Sequence, residues 1–377
     1  MSAAEAPRPA ELVVNVRHLA GRRTGIEVYM EELLRALAQL DALPITAISW
    51  SPLGLGLPGV REVVPVQRPE MREGSLRATL WKLWFDQWAC LRATPRGEPI
   101  LYHGMDGFLP YALRRHDRSV LTVHDLGWQV HPELYNPRVR AMYGALFPWA
   151  ARRADRFIAV SRYTADDLIR RAGISPARID VVYHGLDPVF TSTPPADPAR
   201  QERPYFLAVG GVSPRKNTRR LIAAFARWRA RGGNRAGYRL LITGTSLDAD
   251  FIRAESPPDG VTLLGYVDKS ELPGLYSGAA AFLYPGVYEG FGLPIIEAMA
   301  CGTVVVTSGT GAAPEIAAGA AVLVDPFDVT SIEAGIERAT SPDTAACMRP
   351  MGLERARAFR WDAAAHATLD VYRRVLG

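Results

Sequence analysis

Lysine is nearly absent from this chain. Among 377 residues and 44 basic side chains, only Lys82, Lys216 and Lys269 are lysines, so a lysine inside a motif is a marked residue. Cysteine is equally rare: Cys90, Cys301 and Cys347 stand far apart without C-x-x-C spacing, which argues against a disulfide framework and a zinc site. No stretch approaches the roughly 18 uninterrupted apolar residues of a membrane span. Residues 1–9 carry Glu5 and two prolines but no apolar run, so no secretory signal is expected and the cytoplasm is the expected compartment. No G-x-G-x-x-G follows the first β-rich run, so the dinucleotide fingerprint of a dehydrogenase is missing. The net charge of +5 is mild. It suits anionic small molecules or an anionic membrane surface as well as it suits nucleic acid, and decides nothing alone; no nucleic-acid partner is expected.

What the chain has is alternation. Short β-rich runs at 12–16, 45–49, 100–102, 120–123, 157–160 and 179–183 are interleaved with helical patterns at 25–39, 138–152 and 163–171. The proline-rich stretch TSTPPADPARQERP, 191–204, reads as a linker. A second series follows, with strands expected at 205–209, 239–243, 261–263, 280–284, 303–307 and 321–324. Its helices are expected at 219–230, 269–276, 294–300 and 329–340, and helical patterns close the chain around 354–359 and 362–376. Such alternation predicts an α/β protein of two doubly wound parallel sheets, with domains at 1–190 and 205–355 and a last helical segment at 356–377. Ligands of such sheets sit outside the carboxyl ends of the strands, so the cleft between the domains is the expected site.

Two stretches carry chemistry. In YPGVYEGFGLPIIEAMACGTVVV, 284–306, a strand ends at Tyr284, a loop carries Glu289, Gly290 and Gly292, and a helix opens at Pro294 with Glu297 expected in its first turn. Glycines let a ligand approach the backbone, and amides at a helix start attract a pyrophosphate. Glu289 and Glu297, eight residues apart, can hydrogen-bond the hydroxyls of a sugar and of a ribose. A plain strand-to-helix turn would leave the glycines and the loop carboxylate without a purpose. In VGGVSPRKN, 209–217, a strand runs into a Gly-Gly turn, and Arg215 and Lys216 can neutralise phosphates by charge-assisted hydrogen bonds. Alone, that stretch could equally be a solvated basic turn.

PRKN at 214–217, the phrase LGYVDKSELPGLYSGAAAFLYPGVYEGFGLPIIEAMACG and PEI at 314–316 resemble retaining glycosyltransferases of family 4. The resemblance is strong over 205–324 and weaker across the first half. It implies the GT-B fold, two facing Rossmann-like domains, with the terminal helix returning to the first domain. The family's E-x(7)-E signature falls on Glu289 and Glu297. By similarity Glu289 contacts the donor sugar together with Gly290, Phe291, Gly292 and Leu293, and Glu297 takes the ribose. Arg215 and Lys216 hold the diphosphate, and the backbone at Gly265, Tyr266 and Val267 flanks the base. This chain departs from the family at Gly211, where many members have arginine; Arg215 is the substitute cation.

In the first half, His124 of TVHD, 122–125, resembles the family histidine beside the donor sugar, and Asp125 follows it on the acceptor side. His103 ends the preceding strand and could line the acceptor side or be structural. Thr24, Gly25 and Ile26, with Tyr29 following, resemble the family's glycine loop near the donor phosphates, although Glu27 stands where a glycine is common. Ser161 and 183–187 read as framework. Trp81, Trp84 and Trp88 stand at helical spacing beside Arg77, Lys82 and Arg92; an interfacial helix meeting a membrane-bound acceptor and a core face are both open. Asp248 and Asp250 match a D-x-D metal pair only superficially and read as a helix cap.

The expected activity is metal-independent, retaining transfer of a hexose to a glycan or lipid-linked acceptor. No cofactor is implied beyond the donor itself, with GDP-mannose favoured and UDP-glucose the alternative. The first-domain pattern is most similar to mannosyl- or rhamnosyltransferases of bacterial surface polysaccharides. A glycosidase using the two glutamates would leave the phosphate-binding elements idle. A silent nucleotide-sugar-binding subunit is the rival from another class.

Overall fold

The computed structural model describes residues 11–20, 25–72, 75–94, 98–190, 203–232, 235, 237–244 and 257–377. The proposed linker, Thr24 and the Asp248–Asp250 pair lie wholly or largely outside the described residues.

The first sheet contains β1 (Glu11–Asn15), β2 (Ile45–Ile48), β3 (Val60–Val63), β4 (Ile100–Gly104), β5 (Arg118–Val123), β6 (Arg156–Ala159) and β7 (Ile179–Val181). Its order is β3-β2-β1-β4-β5-β6-β7, and every pairing is parallel. The second sheet contains β8 (Tyr205–Val209), β9 (Arg239–Thr243), β10 (Val261–Gly265), β11 (Ala281–Tyr284), β12 (Val305–Ser308) and β13 (Val322–Val324), in the order β10-β9-β8-β11-β12-β13, again all parallel. The strand not expected from the sequence is β3. Its residues VREV carry two charges because it is an edge strand, paired only with β2, so no apolar run marks it.

Central strands are apolar on both faces because helices cover both. In chain order the helices used below are α1 (Gly25–Leu40), α2 (Leu76–Trp84), α3 (Pro137–Arg153), α4 (Arg162–Ala172), α5 (Thr218–Ala230), α6 (Leu272–Ser277), α7 (Leu293–Ala300), α8 (Ala313–Ala317), α9 (Val329–Ala339), α10 (Pro342–Arg357) and α11 (Trp361–Leu376). The last helix returns to the first domain: Leu369, Tyr372 and Val375 pack with Leu33 and Leu37 of α1 in one core.

Each sheet reverses its strand order once, between β1 and β4 in the first and between β8 and β11 in the second. At such a reversal the helices on either side diverge and leave a crevice beyond the carboxyl ends of the strands. The loops leaving β8 and β11 carry Arg215, Lys216 and Glu289, while His124 follows the neighbouring β5 and Gly265 ends the neighbouring β10.

Candidate active site

Strand β8 runs into Gly210 and Gly211, whose φ angles of 109° and 70° are unfavourable for any residue with a Cβ. Both amides donate to the Thr243 carbonyl, at 2.9 and 2.7 Å. A Cβ on Gly210 would press within 3.0 Å of the Lys216 side chain, so the lysine lies along bare backbone. Asn217, at φ 59°, is the pin of this turn: its amide donates to the carbonyls of Pro285 (3.0 Å) and Pro326 (2.5 Å). The turn after β8 is thereby fastened to the end of β11.

That fastening brings the two sequence motifs together. Arg215 Nη1 donates to Glu289 Oε2 at 2.9 Å and Lys216 Nζ to Glu289 Oε1 at 2.8 Å, while Lys216 also donates to the Tyr284 hydroxyl. The ammonium lies 4.6 Å from the Tyr284 ring centroid. Burial pulls the Lys216 pKa down to about 8, with Arg215 adding repulsion and Glu289 opposing both. Burial works against ionisation of Glu289, but Arg215 and Lys216 outweigh it and hold its pKa below the usual glutamate value. Glu289 in turn raises the pKa of Arg215. The site is thus a carboxylate with two cations, one of which titrates near neutral pH.

The loop then reaches Gly292, at φ 91°, which caps α7 without a side chain. Glu297 is the fifth residue of that helix, not part of its first turn, so it does not serve the helix dipole. It faces α6, where the Tyr276 hydroxyl donates to its Oε2 at 2.9 Å, and burial pushes its pKa up to about 7. Gly265, at φ 68°, and the exposed Tyr266 form the rim after β10, while Val267 packs against the second domain's core.

From the first domain, His124 follows β5. Its Nε2 meets the Met105 carbonyl at 2.8 Å, which makes Nε2 the protonated nitrogen and Nδ1 the acceptor. Burial lowers its pKa, so it stays neutral. Gly25 opens α1, and a Cβ built there would lie 4.0 Å from Leu293 across the domain boundary. Asp125 accepts from the Gly127 amide at 2.8 Å.

His103 does not line the cleft. It is fully buried, with Nδ1 on the Tyr372 hydroxyl of α11 (2.6 Å) and Nε2 on Thr122 Oγ1 (2.7 Å), and burial drives its pKa to about 3. Tyr29 is likewise core, bonded to Thr122. The tryptophans part company: Trp81 and Trp84 pack against the first domain's core, while Trp88 is 51% exposed and stacks on Tyr111.

Sequence reasoning missed a charged group at the first reversal. Arg17, just after β1, makes a two-pronged contact with Asp86. His18 lies 3.2 Å from Asp106, which follows β4, and 3.6 Å from Glu27 of α1. Strand-end position was the available signal, but five residues scattered over ninety positions form no motif.

The domains meet at this site. A Cβ on Gly290 would lie 1.7 Å from the His124 carbonyl oxygen, so the E-G-F-G loop touches the histidine turn through bare backbone. Ser161 Oγ donates to the Gly290 carbonyl (2.7 Å), and the Tyr288 hydroxyl donates to Asp167 (2.6 Å). Glu315 of α8, the glutamate of PEI, accepts the first amides of α4 from Arg162 (2.8 Å) and Tyr163 (3.0 Å), capping a helix of the other domain. Lys269 pairs with Asp187 and, at 3.5 Å, with Glu32 of α1.

Comparison with known proteins agrees with this geometry. Residues 23–190 match the model described as Glycosyltransferase Family 4, and residues 190–349 match Glycosyl transferases group 1. The O-antigen chain mannosyltransferase B of Escherichia coli is 32% identical over 288 residues, 72% of this chain and 74% of the relative. The chain belongs to glycosyltransferase family 4. It is a glycosyltransferase of GT-B architecture. Among solved structures, this family 4 enzyme is similar to sucrose-phosphate synthase from Thermosynechococcus elongatus, with TM-score 0.76, 25% identity and coverage of 98% of this chain and 99% of that one. The Anabaena Alr3699/HepE structure in complex with UDP-glucose shares the fold at TM-score 0.67 and 16% identity, over 97% and 98% of the two chains. No helix among the described residues is long and apolar enough to cross a membrane.

Proposed function

We propose that this enzyme transfers a hexose, with mannose favoured, from a nucleoside diphosphate to a glycan or lipid-linked acceptor of a surface polysaccharide, with retention of configuration and without a metal. The observation that carries the reading is the Arg215–Glu289–Lys216 contact at the reversal between β8 and β11, against the His124 turn. The relative named as an O-antigen mannosyltransferase supports mannose and so GDP-mannose; UDP-glucose is the alternative donor, bound by a protein of the same fold.

Glu289 holds both cations, Arg215 and Lys216, in ion pairs. A diphosphate displaces that carboxylate from Arg215 and Lys216, and Glu289 turns to the hydroxyls of the sugar. Glu297 accepts the ribose hydroxyls, and the backbone at Gly265, Tyr266 and Val267 flanks the base. As the bond from the anomeric carbon to the phosphate oxygen breaks, Arg215, Lys216 and the amides around Gly292 and Leu293 take up the charge left on the phosphate. The acceptor oxygen forms its bond to the same carbon on the same face and passes its proton to the leaving phosphate. Neutral His124 accepts a hydrogen bond from the sugar and adds no positive charge beside a cation-like carbon. Domain closure excludes water from this step.

The acceptor is placed in this reading at the first reversal, between His18, Glu27 and Asp106 and beside Asp125. Asp86 and Asp106 face Arg17 there while Glu27 lies against His18, and this excess of carboxylates favours an uncharged hydroxyl-bearing sugar. Leu76, Leu80, Trp88 and Tyr111 are exposed beside Arg77, Lys82 and Arg92, which supports peripheral contact with an anionic membrane on the cytoplasmic side.

A panel of GDP-, UDP- and dTDP-sugars, incubated with a lipid-linked acceptor in chelator, tests the whole reading. The expected result is transfer from GDP-mannose unchanged by EDTA, with an axial anomeric product by NMR. Inversion, or strict dependence on a divalent ion, sinks the mechanism. Absence of even slow donor hydrolysis with every sugar nucleotide favours a silent binding subunit.

A further inference from the structure

The residue that holds Glu297 comes from a different helix. Tyr276, on α6, is completely buried. Its ring lies edge-on to Phe282 (5.2 Å) and Phe190 (5.9 Å), so the phenol has little freedom to swing. Hydrogen bonds hold the helix that carries it: Thr303 Oγ1 donates to the Tyr276 carbonyl (2.6 Å) and the Tyr205 hydroxyl to the Leu275 carbonyl (2.9 Å). Burial raises the phenol's pKa far above its ordinary value, so it remains protonated and acts as donor toward Glu297 Oε2.

Glu297 needs such a partner. A carboxylate accepts both hydroxyls of a ribose only when ionised and correctly turned, and burial here pushes its pKa to about 7. The groups that face it are few. Tyr276 of α6, Lys269 after β10 and Lys216 after β8 favour the charged form, whereas Asp187 opposes it. Tyr284 and Cys301, from β11 and the end of α7, feel its charge in turn. Tyr276 alone among these makes a short, directed hydrogen bond to the carboxylate.

We propose that Tyr276 is the positioning residue for ribose recognition: its phenol anchors one oxygen of Glu297 and leaves the other presented to the ribose hydroxyls. This rests on the reading of Glu297 as the ribose-binding residue. The phenol does not touch the nucleotide; it acts through the carboxylate. Its removal leaves the apolar packing in place and takes away one hydrogen bond to a charged acceptor, so the carboxylate becomes harder to ionise.

The experiment measures binding of GDP, UDP and their 2′-deoxy counterparts by calorimetry from pH 6 to pH 9. It uses the full-length wild-type protein, Tyr276→Phe, Thr303→Val and Glu297→Gln. In the wild type, preference for ribose over 2′-deoxyribose rises through neutral pH as Glu297 ionises. In Tyr276→Phe that rise moves up by about one pH unit, with roughly tenfold weaker ribose-dependent binding below pH 7 and recovery at alkaline pH. Lys216 also titrates in this range, but it contributes equally to both nucleotides and cancels in the ratio. Thr303→Val loosens α6 without touching the phenol and should leave the midpoint unmoved. An unshifted midpoint in Tyr276→Phe, or an equal shift in Thr303→Val, overturns the proposal and makes Tyr276 a packing residue. Full ribose preference in Glu297→Gln overturns the ribose reading itself, a result distinguishable because it appears with the phenol intact.

Discussion

Glu289 has two tasks that pull in different directions. It neutralises Arg215 and Lys216, and under the proposed function it also serves the donor sugar. Glu289→Gln should therefore separate binding from chemistry. Nucleoside diphosphate affinity should stay within a few-fold of wild type or tighten, because the phosphate no longer competes with a carboxylate. Transfer should fall about 100- to 1000-fold, the usual cost of losing one preorganised polar contact. Calorimetry against initial-rate kinetics reads both, and a parallel loss of the two would remove the exchange of partners. Glu297 gives a prediction of the opposite character. Its folded pKa, about 7, lies above the ordinary glutamate value of 4.5, so the folded state holds a proton that the unfolded chain releases between those limits. Stability from this group is then lost, not gained, as pH rises from 4.5 to 7. Glu297→Gln should stabilise the donor-free protein at pH 8 by roughly 1–2 kcal/mol, less than full burial implies because the side chain reaches cleft solvent, and leave it unchanged at pH 4. Thermal unfolding at the two pH values checks the sign.

The element that joins these residues is the loop from Tyr284 to Gly292. Its glycines are not interchangeable, and Gly290 is the one whose missing Cβ lets the domains meet. A methyl group there would stand 1.7 Å from a backbone oxygen, which no side-chain rotation relieves. Gly290→Ala should leave both sheets folded, yet hold the E-G-F-G loop away from the His124 turn. Small-angle scattering should then report a larger radius of gyration, and transfer should drop by at least about 100-fold, since misplacement of about 1 Å has that effect. Retention of wild-type dimensions and turnover would mean that the loop does not need to touch the histidine turn. Helix α4 illustrates a related dependence: Ser161 caps the Thr164 amide, but the amides of Arg162 and Tyr163 are accepted by Glu315, so the helix start is completed by the neighbouring domain.

At the scale of the molecule, two sheets bring their strand-order reversals to the domain contact, with Arg215, Lys216 and Glu289 on one side and His18, Asp106 and His124 on the other. Lys269 makes an ionic contact from the loop after β10 to Asp187 and Glu32 of the first domain, and it is one of three lysines in the chain. Half-exposed pairs of this kind contribute about 1 kcal/mol or less. Lys269→Met should accordingly raise the donor KM up to about fivefold at low salt, with the difference fading at high ionic strength. An effect that ignores salt would point to packing at the Tyr266–Val267 rim and not to charge.

Much of this was legible because its causes are local. Alternating apolar runs required parallel sheets, and the spacing of Glu289 and Glu297 and the order Pro214-Arg215-Lys216-Asn217 follow from one strand-turn-helix each. What short-range pattern could not contain is the facing of side chains brought together from far apart. His103 ends a strand as His124 does, but it points to the face covered by α11, toward a tyrosine 269 positions away, and so is core. Edge strand β3 carries charge, and Trp88 turns outward where Trp81 and Trp84 turn in. The residue types and turn geometry of the proposed donor site were set by the sequence through backbone sterics and charge. Which of those residues meet, and therefore which carboxylate is ionised and which cation is masked, was decided by long-range packing, because burial and Coulomb forces depend on distances in space and not along the chain.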